Sequence, residues 1–293
     1  MEEDSCNSSN AFSTGKSAQE KGLPCVPDCY QIPPSNHPSL CPEVANVPVV
    51  DLCGLRQGSE QRSIVVDDIR NSCRHLGFFQ IVNHGICQSV LDGALSMAFE
   101  FFKMPAPEKM KYMSNDVHKP VRYGTSLKDG VNKVQFSRVF LKHYSHPLED
   151  WIGSWPDNPP NYRENMGRYW AEVMKLGLKL FEATTEALGL GPTYLTTKME
   201  NGMQVMVINC DPPCPQPDIT LGLPPHSDYS CFTILLQSSS GLQIMDTEDG
   251  RWRLVPDIRG ALQVHVGDHL EVAMVYKSVF TLSLGSPLLA CID

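Results

Sequence analysis

A histidine and an aspartate two positions apart, His226 and Asp228, are the residues of this chain best suited to hold a metal ion. Residues i and i+2 of an extended strand project to the same face, so both side chains can point at one ion. An imidazole and a carboxylate are two of the three protein ligands that hold non-haem Fe(II) and leave positions open for a cosubstrate and O2. Alone, however, a His-x-Asp pair is a weak signal, because it arises by chance in many chains.

Around this pair the sequence changes from helical to extended periodicity. Before residue 203, apolar residues recur at helical spacing in three stretches, the longest over about residues 164–188, and residues 78–85 predict a strand and a turn. After residue 203, short runs separated by turns predict five strands. These runs are 205–208, 233–236, 242–245, 252–255 and 262–266. A helical first half and an all-β second half predict an α+β fold with a jelly-roll core.

Several longer motifs accompany the His-x-Asp pair. Residues 204–268 resemble the iron- and 2-oxoglutarate-dependent dioxygenases of plants, most closely the branch that modifies flavonoids, salicylate and hormones. The motifs there are NCDPPCPQP (209–217), LGLPPHSD (221–228), TILLQ (233–237), GLQI (241–244) and VGD (266–268). The upstream motifs are VPVVDL (47–52), GFFQIVNHG (77–85) and FFKMP (101–105). The resemblance spans about residues 46–279.

The resemblance implies a double-stranded β-helix that binds Fe(II), 2-oxoglutarate and O2, with ascorbate as the reductant. Such an enzyme hydroxylates or desaturates a small plant metabolite of phenolic, flavonoid, indole or hormone-like type. His226 and Asp228 would be metal ligands, and Asn209 would lie in the cofactor-binding motif. Tyr123 and Phe136 would belong to the wall of the substrate pocket. No catalytic residue is implied beyond the metal ligands.

The last part of the sequence departs from the family pattern. YKSV (276–279) is present, but FTL follows it where the resemblance implies a third iron-binding His and then an Arg that binds 2-oxoglutarate. No His follows His269, and no Arg follows Arg259. Asp211 stands where the family usually has a Tyr that donates a hydrogen bond to 2-oxoglutarate, and an ionised carboxylate repels that anion. We therefore expect weak cosubstrate binding and a C-terminally truncated or altered family member.

Other histidines offer few alternatives for the third ligand. His265 lies in an alternating strand, and the plainer interpretation is that a nearby backbone group satisfies it. His269 follows a turn and is expected in water at the rim, while His143 and His146 are expected at the surface. Two functions therefore remain open: an oxygenase impaired in this chain, or a catalytically inactive isoform that only binds a small molecule or regulates.

The predicted organisation has five segments. Residues 1–45 are rich in Ser, Asn, Pro and Gly and are expected to be disordered. If the β-core is incomplete at its C-terminal end, we expect the edges of its strands to lack backbone hydrogen-bond partners. The remaining segments are an N-terminal dioxygenase region (46–150), a helical connector (151–202), a partial dioxygenase core (203–279) and an atypical tail (280–293).

Composition and charge exclude several classes of protein. The formal net charge is −9, so nucleic acids and anionic membranes are unfavourable partners. The eleven cysteines form no Cys-x-x-Cys pair, and the acidic start Met1–Asp4 is unlike a targeting segment. No apolar run approaches the roughly 18 residues of a membrane span. We expect a cytoplasmic monomer that acts on a small molecule, without a nucleic-acid or membrane partner.

Overall fold

A layer of helices covers one side of a long mixed sheet in the computed structural model of the chain. The structure describes residues 25–125, 136–191, 193–195, 202–246, 249–275 and 288–292. The described helices are α1 (Ser59–His75), α2 (Gln88–Lys103), α3 (Ala106–Met110), α4 (Leu148–Trp151), α5 (Tyr162–Ala187) and α6 (Asp268–Val275). The described strands are β1 (Val49–Asp51), β2 (Phe78–Val82), β3 (Val121–Thr125), β4 (Val139–Tyr144), β5 (Gln204–Cys210), β6 (Phe232–Leu236), β7 (Gln243–Met245), β8 (Trp252–Leu254), β9 (Leu262–Val266) and β10 (Leu288–Ile292).

The strand order brings distant parts of the chain together. Eight strands form one sheet in the order β1-β2-β9-β6-β10-β5-β4-β3, and β7 pairs with β8 in a second sheet. Strand β9 is antiparallel to both β2 and β6, so the N-terminal half and the C-terminal half share one sheet. This is the predicted α+β arrangement, and the five strands predicted after residue 203 are β5 to β9.

The alternation of residues along the strands gives the large sheet two different faces. On the face toward the helices, Ile208 of β5, Ile234 of β6 and Val264 of β9 are completely buried in the main core. Helix α5 packs on this side, where the ring centroids of Phe181 and Phe232 lie 5.1 Å apart. The alternate residues of the same strands lie on the opposite face, which lines a cavity.

Helix α5 provides the largest apolar stripe against the sheet. Its buried residues recur every three or four positions, as the sequence periodicity predicts, and the helix ends before Gly189, which has a positive φ of 69°. The fully buried members of the stripe include Met166, Tyr169, Val173 and Leu180. No helix within the described ranges combines the length and apolar character needed to cross a membrane.

The segment before β1 is ordered where the structure describes it. The Tyr30 side chain is only 2% exposed, and the Ile32 amide donates to the Ile219 carbonyl at 3.0 Å. The Val26 amide donates to the side-chain oxygen of Gln216 at 2.8 Å. Disorder was therefore the wrong prediction for residues 26–32, where Val26 and Tyr30 are buried together beside Cys214 in the loop after β5, although Leu40 and Val44 further along are exposed. Residues 1–24 lie outside the described residues.

Strand β10 corrects the expectation of open strand edges. It lies between β5 and β6 and pairs in parallel with both, so their facing edges are hydrogen-bonded. Backbone amides and carbonyls can complete a sheet with almost any side chains, which is why the sequence motifs did not reveal this strand. The YKSV motif and the proposed boundary between 279 and 280 lie outside the described residues.

Candidate metal and ligand site

His226 and Asp228 converge in the loop that precedes β6. They lie in irregular backbone rather than on the strand that the spacing argument assumed. Their side chains nevertheless meet, with His226 Nε2 3.5 Å from Asp228 Oδ1. The imidazole is half exposed, whereas the carboxylate is mostly buried. The pair therefore lies where the protein interior opens to solvent.

The hydrogen bonds of His226 leave Nε2 facing the carboxylate. Nδ1 lies 2.9 Å from the Pro224 carbonyl oxygen, which can only accept, so Nδ1 carries a proton. The hydrogen bond with Asp228 raises the pKa of His226 above its ordinary value, against the opposing effect of burial. Nε2 of His226 and Oδ1 of Asp228 would be the atoms that hold a metal ion, because both are ligand atoms for Fe(II).

Asp228 is held in its charged form by its neighbours. Burial raises the pKa of Asp228, but the hydrogen bonds from His226 and Thr233 outweigh it, so the pKa lies below its usual value. The Thr233 hydroxyl donates to Oδ2, which leaves Oδ1 directed at His226. The Asp268 amide also donates to the Asp228 carbonyl at 2.8 Å. The adjacent Gly267 permits this approach, since a Cβ there would lie 1.9 Å from the Ser230 carbonyl oxygen.

The donor set fits two of the three protein ligands of a non-haem iron site. One imidazole nitrogen and one carboxylate oxygen are available at short range. Within the described residues, no third His, Cys, Asp or Glu stands close enough to bind the same ion. The segment in which the resemblance implied a third His, residues 280–287, lies outside the described residues.

His265 lies on the cavity face of β9, directly across from Thr233. Its ring packs edge-to-face on Phe78 with the centroids 4.7 Å apart. The Nε2 atom is buried and has no hydrogen-bond partner among the described residues, so the prediction that a backbone group satisfies it is wrong. Burial lowers the pKa of His265 to about 4, so the imidazole is neutral at pH 7.

The cavity measures about 1710 Å³ and is open to solvent. Its walls are the polar face of the large sheet, residues 220–228, the β6–β7 connection and residues 32–39. Phe136, Asn209 and Phe140 line it together with His226 and Asp228. A space of this size accommodates a small organic substrate beside the His226–Asp228 pair.

One cation lies beside the metal-ligand candidates. Arg138 donates through Nη1 to Asn209 Oδ1 at 2.8 Å, and its guanidinium carbon lies 5.3 Å from the centre of the Phe140 ring. The charge of Arg138 opposes the rise in the pKa of His226, so the two groups are electrostatically coupled. Lys142 also lines the cavity, but its ammonium donates to the Val117 carbonyl at 2.6 Å.

Known proteins match the chain along most of its length. Residues 47–163 match the family described as non-haem dioxygenase in morphine synthesis N-terminal, and residues 202–280 match the 2OG-Fe(II) oxygenase superfamily. Flavanone 3-dioxygenase 3 of Oryza sativa subsp. japonica is 48% identical over 242 residues, which are 82% of this chain and 73% of that protein. The chain belongs to the 2OG-Fe(II) oxygenase superfamily.

Two further relatives agree with this membership. The 2-oxoglutarate-dependent dioxygenase 21, chloroplastic, of Oryza sativa subsp. japonica is 46% identical over 256 residues, covering 87% of this chain and 72% of that one. The crystal structure of JOX2 in complex with 2OG, Fe, and JA matches with a TM-score of 0.76 and 32% identity, covering 87% and 74%. The predicted oxidoreductase class and jelly-roll fold are confirmed, and the family uses Fe(II), 2-oxoglutarate and O2.

The structure separates the sequence-predicted residues of this 2OG-Fe(II) oxygenase into two groups. His226, Asp228, Asn209 and Phe136 all line the cavity. Tyr123 does not: it is completely buried, and its ring centroid lies 6.2 Å from that of Phe101. The register pairs Tyr123 with Leu141, which faces the helices, so the tyrosine belongs to the core rather than to the pocket wall.

His143 is a clear correction, because it was expected at the surface and is completely buried. Its Nε2 lies 3.1 Å from the Tyr162 hydroxyl, and its ring stacks on Trp155 with the centroids 4.3 Å apart. Burial lowers the pKa of His143 to about 3. The residue pairs with Met206 on the helix-facing side of the sheet, which a local pattern of polar residues did not reveal.

Sequence reasoning missed Arg138 and Thr233. Arg138 lies two residues after Phe136, which was assigned to the pocket wall, and two residues before Phe140, and all three line the same cavity. That period of two was a usable signal. The role of Thr233 depends on a loop folding back onto β6, which no local pattern encodes.

Proposed function

We propose that this chain oxidises a small plant metabolite of phenolic, flavonoid, indole or hormone-like type, with Fe(II) held by His226 and Asp228. The observation that carries the proposal is the approach of His226 Nε2 to Asp228 Oδ1, 3.5 Å apart at the wall of a substrate-sized cavity. A relative named as a flavanone dioxygenase supports the aromatic substrate class. When bound, Fe(II) with 2-oxoglutarate and O2 supplies the oxidising power.

The chain's own residues contribute binding and orientation. Nδ1 of His226 donates to the Pro224 carbonyl, which orients the ring so that Nε2 would be the atom that binds the metal. Thr233 orients the Asp228 carboxylate and holds it ionised. The aromatic ring of Phe136 lines the space next to these groups and favours a flat apolar substrate.

We further infer that the oxygenase site is weakened in this chain. Only two protein ligands are found among the described residues, and metal affinity falls when a ligand is missing. Asp211 also lines the cavity, with Oδ1 so close to Gly222 that a Cβ there would lie 2.1 Å from it. A carboxylate at this position repels the anionic cosubstrate.

The second candidate is a catalytically inactive protein that binds a small molecule. It is favoured by the same incomplete ligand set within the described ranges, together with an intact cavity. Both candidates require the cavity, but only the oxygenase requires iron and cosubstrate turnover.

An anaerobic titration separates the two candidates. Fe(II) and 2-oxoglutarate are added to the full-length chain, and the weak visible metal-to-ligand charge-transfer band is recorded. His226→Ala is the test variant, and His37→Ala is the matched control, because His37 also lines the cavity but bonds through Nε2 to the Ile32 carbonyl. A band that His226→Ala abolishes and His37→Ala leaves intact, followed by succinate release with phenols or indoles, supports the oxygenase.

Other results of the titration have equally definite meanings. Substrate binding by wild type without a band or succinate release favours the inactive binding protein. A band that survives His226→Ala contradicts the proposed metal ligands.

We also infer that ascorbate is the reductant and that the chain is a cytoplasmic monomer; ascorbate-dependent turnover, cell imaging and size-exclusion chromatography test these three points separately.

A further inference from the structure

A strap formed by residues 32–43 connects two walls of the cavity. At its start, the Ile32 amide donates to the Ile219 carbonyl at 3.0 Å, in the loop between β5 and β6. At its end, the Leu254 amide of β8 donates to the Glu43 carbonyl at 2.8 Å. Residues of the loop, of the small sheet and of the strap all line the same cavity. The strap is therefore one side of the space that a ligand occupies.

The strap is held in a defined conformation before any ligand binds. Proline at positions 33, 34 and 38 restricts the backbone φ angle at each of them. Residues Pro34–Asn36 form one turn of 3-10 helix, and the Asn36 amide donates to the Pro33 carbonyl at 2.8 Å. A wall that is already ordered loses little conformational entropy when a ligand binds to it.

The strap has no acidic or strongly basic side chain between its two anchors. No Lys, Arg, Asp or Glu occurs from residue 32 to residue 42, although the whole chain has a formal net charge of −9. The strap residues that line the cavity include Pro33, Ser35, Asn36, Pro38 and Ser39. These side chains offer apolar contact and hydrogen bonds but no countercharge. Because an ionised group is costly to remove from water without a countercharge, such a wall favours an uncharged ligand.

The side chain of Asn36 supplies hydrogen-bond donors on this wall. It is exposed, lines the cavity, and accepts at Oδ1 from the Ser35 hydroxyl at 3.2 Å. The Nδ2 group carries two N–H donors, and neither has a partner within the described residues. A hydroxyl oxygen on a ligand is a suitable acceptor for these donors.

Aromatic side chains line the same cavity as the strap. Phe99 of α2 is 53% exposed, and Phe136 lies just before β4. Aromatic rings attract other rings in offset and edge-to-face arrangements. A flat ring compound that carries hydroxyl groups therefore matches both the aromatic side chains and the neutral, hydrogen-bonding strap.

We propose that the strap binds the non-reacting ring of an uncharged, hydroxylated aromatic compound, with the Asn36 side chain donating to a hydroxyl oxygen of that ring. The proposal rests on the proposed function in taking this compound as the substrate, and it narrows the substrate class to neutral phenolic compounds. The binding itself does not require iron.

Isothermal titration calorimetry of the full-length chain without metal tests the proposal. The ligands are naringenin (a hydroxylated flavanone, at a pH where it is uncharged), unsubstituted flavanone, and salicylate, which carries a carboxylate. Asn36→Ala removes the donors, whereas the double variant Pro33→Gly/Pro38→Gly keeps them and loosens the strap. The matched controls are Gln31→Ala and Pro42→Gly, an amide and a proline of the same segment that do not line the cavity.

We expect Asn36→Ala to weaken naringenin binding by roughly three- to tenfold, as the loss of one hydrogen bond does, and to change flavanone binding by less than about twofold. The double proline variant should weaken the binding of both flavanones by roughly threefold or more, because a flexible strap must be ordered on binding. Both controls should change every affinity by less than about twofold. Salicylate should bind to wild type at least roughly tenfold more weakly than naringenin.

Four results would overturn the proposal: no binding of either flavanone by wild type, an unchanged naringenin affinity in Asn36→Ala, an equal loss in the control variants, or salicylate bound as tightly as naringenin. Thermal unfolding checks that each variant is folded, and Asn36→Ala decides the outcome if the double variant is unfolded.

An anaerobic iron titration keeps this proposal separate from the proposed function. If the chain binds no iron but its naringenin affinity depends on Asn36, the oxygenase proposal fails and the strap site stands. If iron binds and succinate is released but Asn36→Ala leaves the naringenin affinity unchanged, only the strap proposal fails.

Discussion

His143 and His265 lie on opposite faces of the same sheet, and His143 is completely buried whereas His265 is half-buried. On the helix-facing side, His143 bonds to the Tyr162 hydroxyl and stacks on Trp155. On the cavity side, His265 has a buried Nε2 with no hydrogen-bond partner within the described residues. The fold therefore satisfies the imidazole on the helix-facing side, whereas Nε2 of the imidazole on the cavity side has no partner within the described residues.

The same difference extends to the neighbouring residues of each strand. In β6, Phe232 and Ile234 are packed under the helices, whereas Thr233 between them bonds to Asp228 at the candidate site. Unsatisfied buried polar atoms occur on both faces, because the side chain of Gln204, on the helix-facing side of β5, also has no hydrogen-bond partner within the described residues. We therefore expect substitutions on the helix-facing side to act mainly on stability and substitutions beside Asp228 to act mainly on metal binding.

The largest expected effect is on the helix-facing side. Phe232→Ala should lower the free energy of unfolding by about 3–5 kcal/mol, because it leaves a cavity against Phe181 in the dry core. Urea unfolding followed by circular dichroism measures the change. The comparison variant on the other face is Leu235→Ala; Leu235 is 3% exposed but lies outside the main core cluster and borders the cavity, so its loss should cost less. Equal losses would contradict the division between the faces.

On the cavity side, Asp228→Asn should lower Fe(II) affinity by roughly 100-fold or more, because an amide is a far weaker iron ligand than a carboxylate. Its effect on unfolding should stay below about 1 kcal/mol. Anaerobic iron titration and urea unfolding of the same preparation give both numbers. A variant that keeps full iron affinity would remove Asp228 from the site.

The pH dependence of stability should reveal His143. Its pKa is about 3 in the folded state, below the ordinary value of 6.5, so its neutral form stabilises the protein above about pH 6.5. As the pH falls through this window toward 3, the unfolded state takes up the proton first and stability is lost, by about 2 kcal/mol at pH 5. His143→Gln should flatten the profile between pH 7 and pH 4. Parallel profiles for wild type and variant would contradict the buried neutral imidazole.

The smallest of these effects concerns Thr233. Thr233→Val keeps the shape of the side chain but removes the donor to Asp228, and it should lower Fe(II) affinity by roughly tenfold, as loss of a hydrogen bond to a metal ligand does. Iron titration of Thr233→Val measures this loss, with Thr220→Val as the control for a buried threonine on the cavity wall. Comparable losses in both variants would assign no special role to Thr233.

Local patterns in the sequence were sufficient for the family, for the helical and extended periodicities, and for bringing His226 and Asp228 forward as a metal-ligand pair. The periodicities depend on residues close together in the chain, whose spacing decides which of them share a face. The later strands and helix α5 followed the prediction for the same reason. The His226–Asp228 pair was found through its residue types and flanking motifs, since the two residues lie in a loop and not on a strand.

Only the tertiary structure decided which face of each strand points at the cavity. Pairing with Leu141 turns Tyr123 into the core, pairing with Met206 buries His143, and two bonds to residues 221–222 bring Arg138 beside His226. Each outcome depends on contacts between strands far apart in sequence, and a shift of register by one residue would reverse it. The sequence by itself therefore determined which chemistry is available, and the long-range pairing of the strands determined which side chains can reach it.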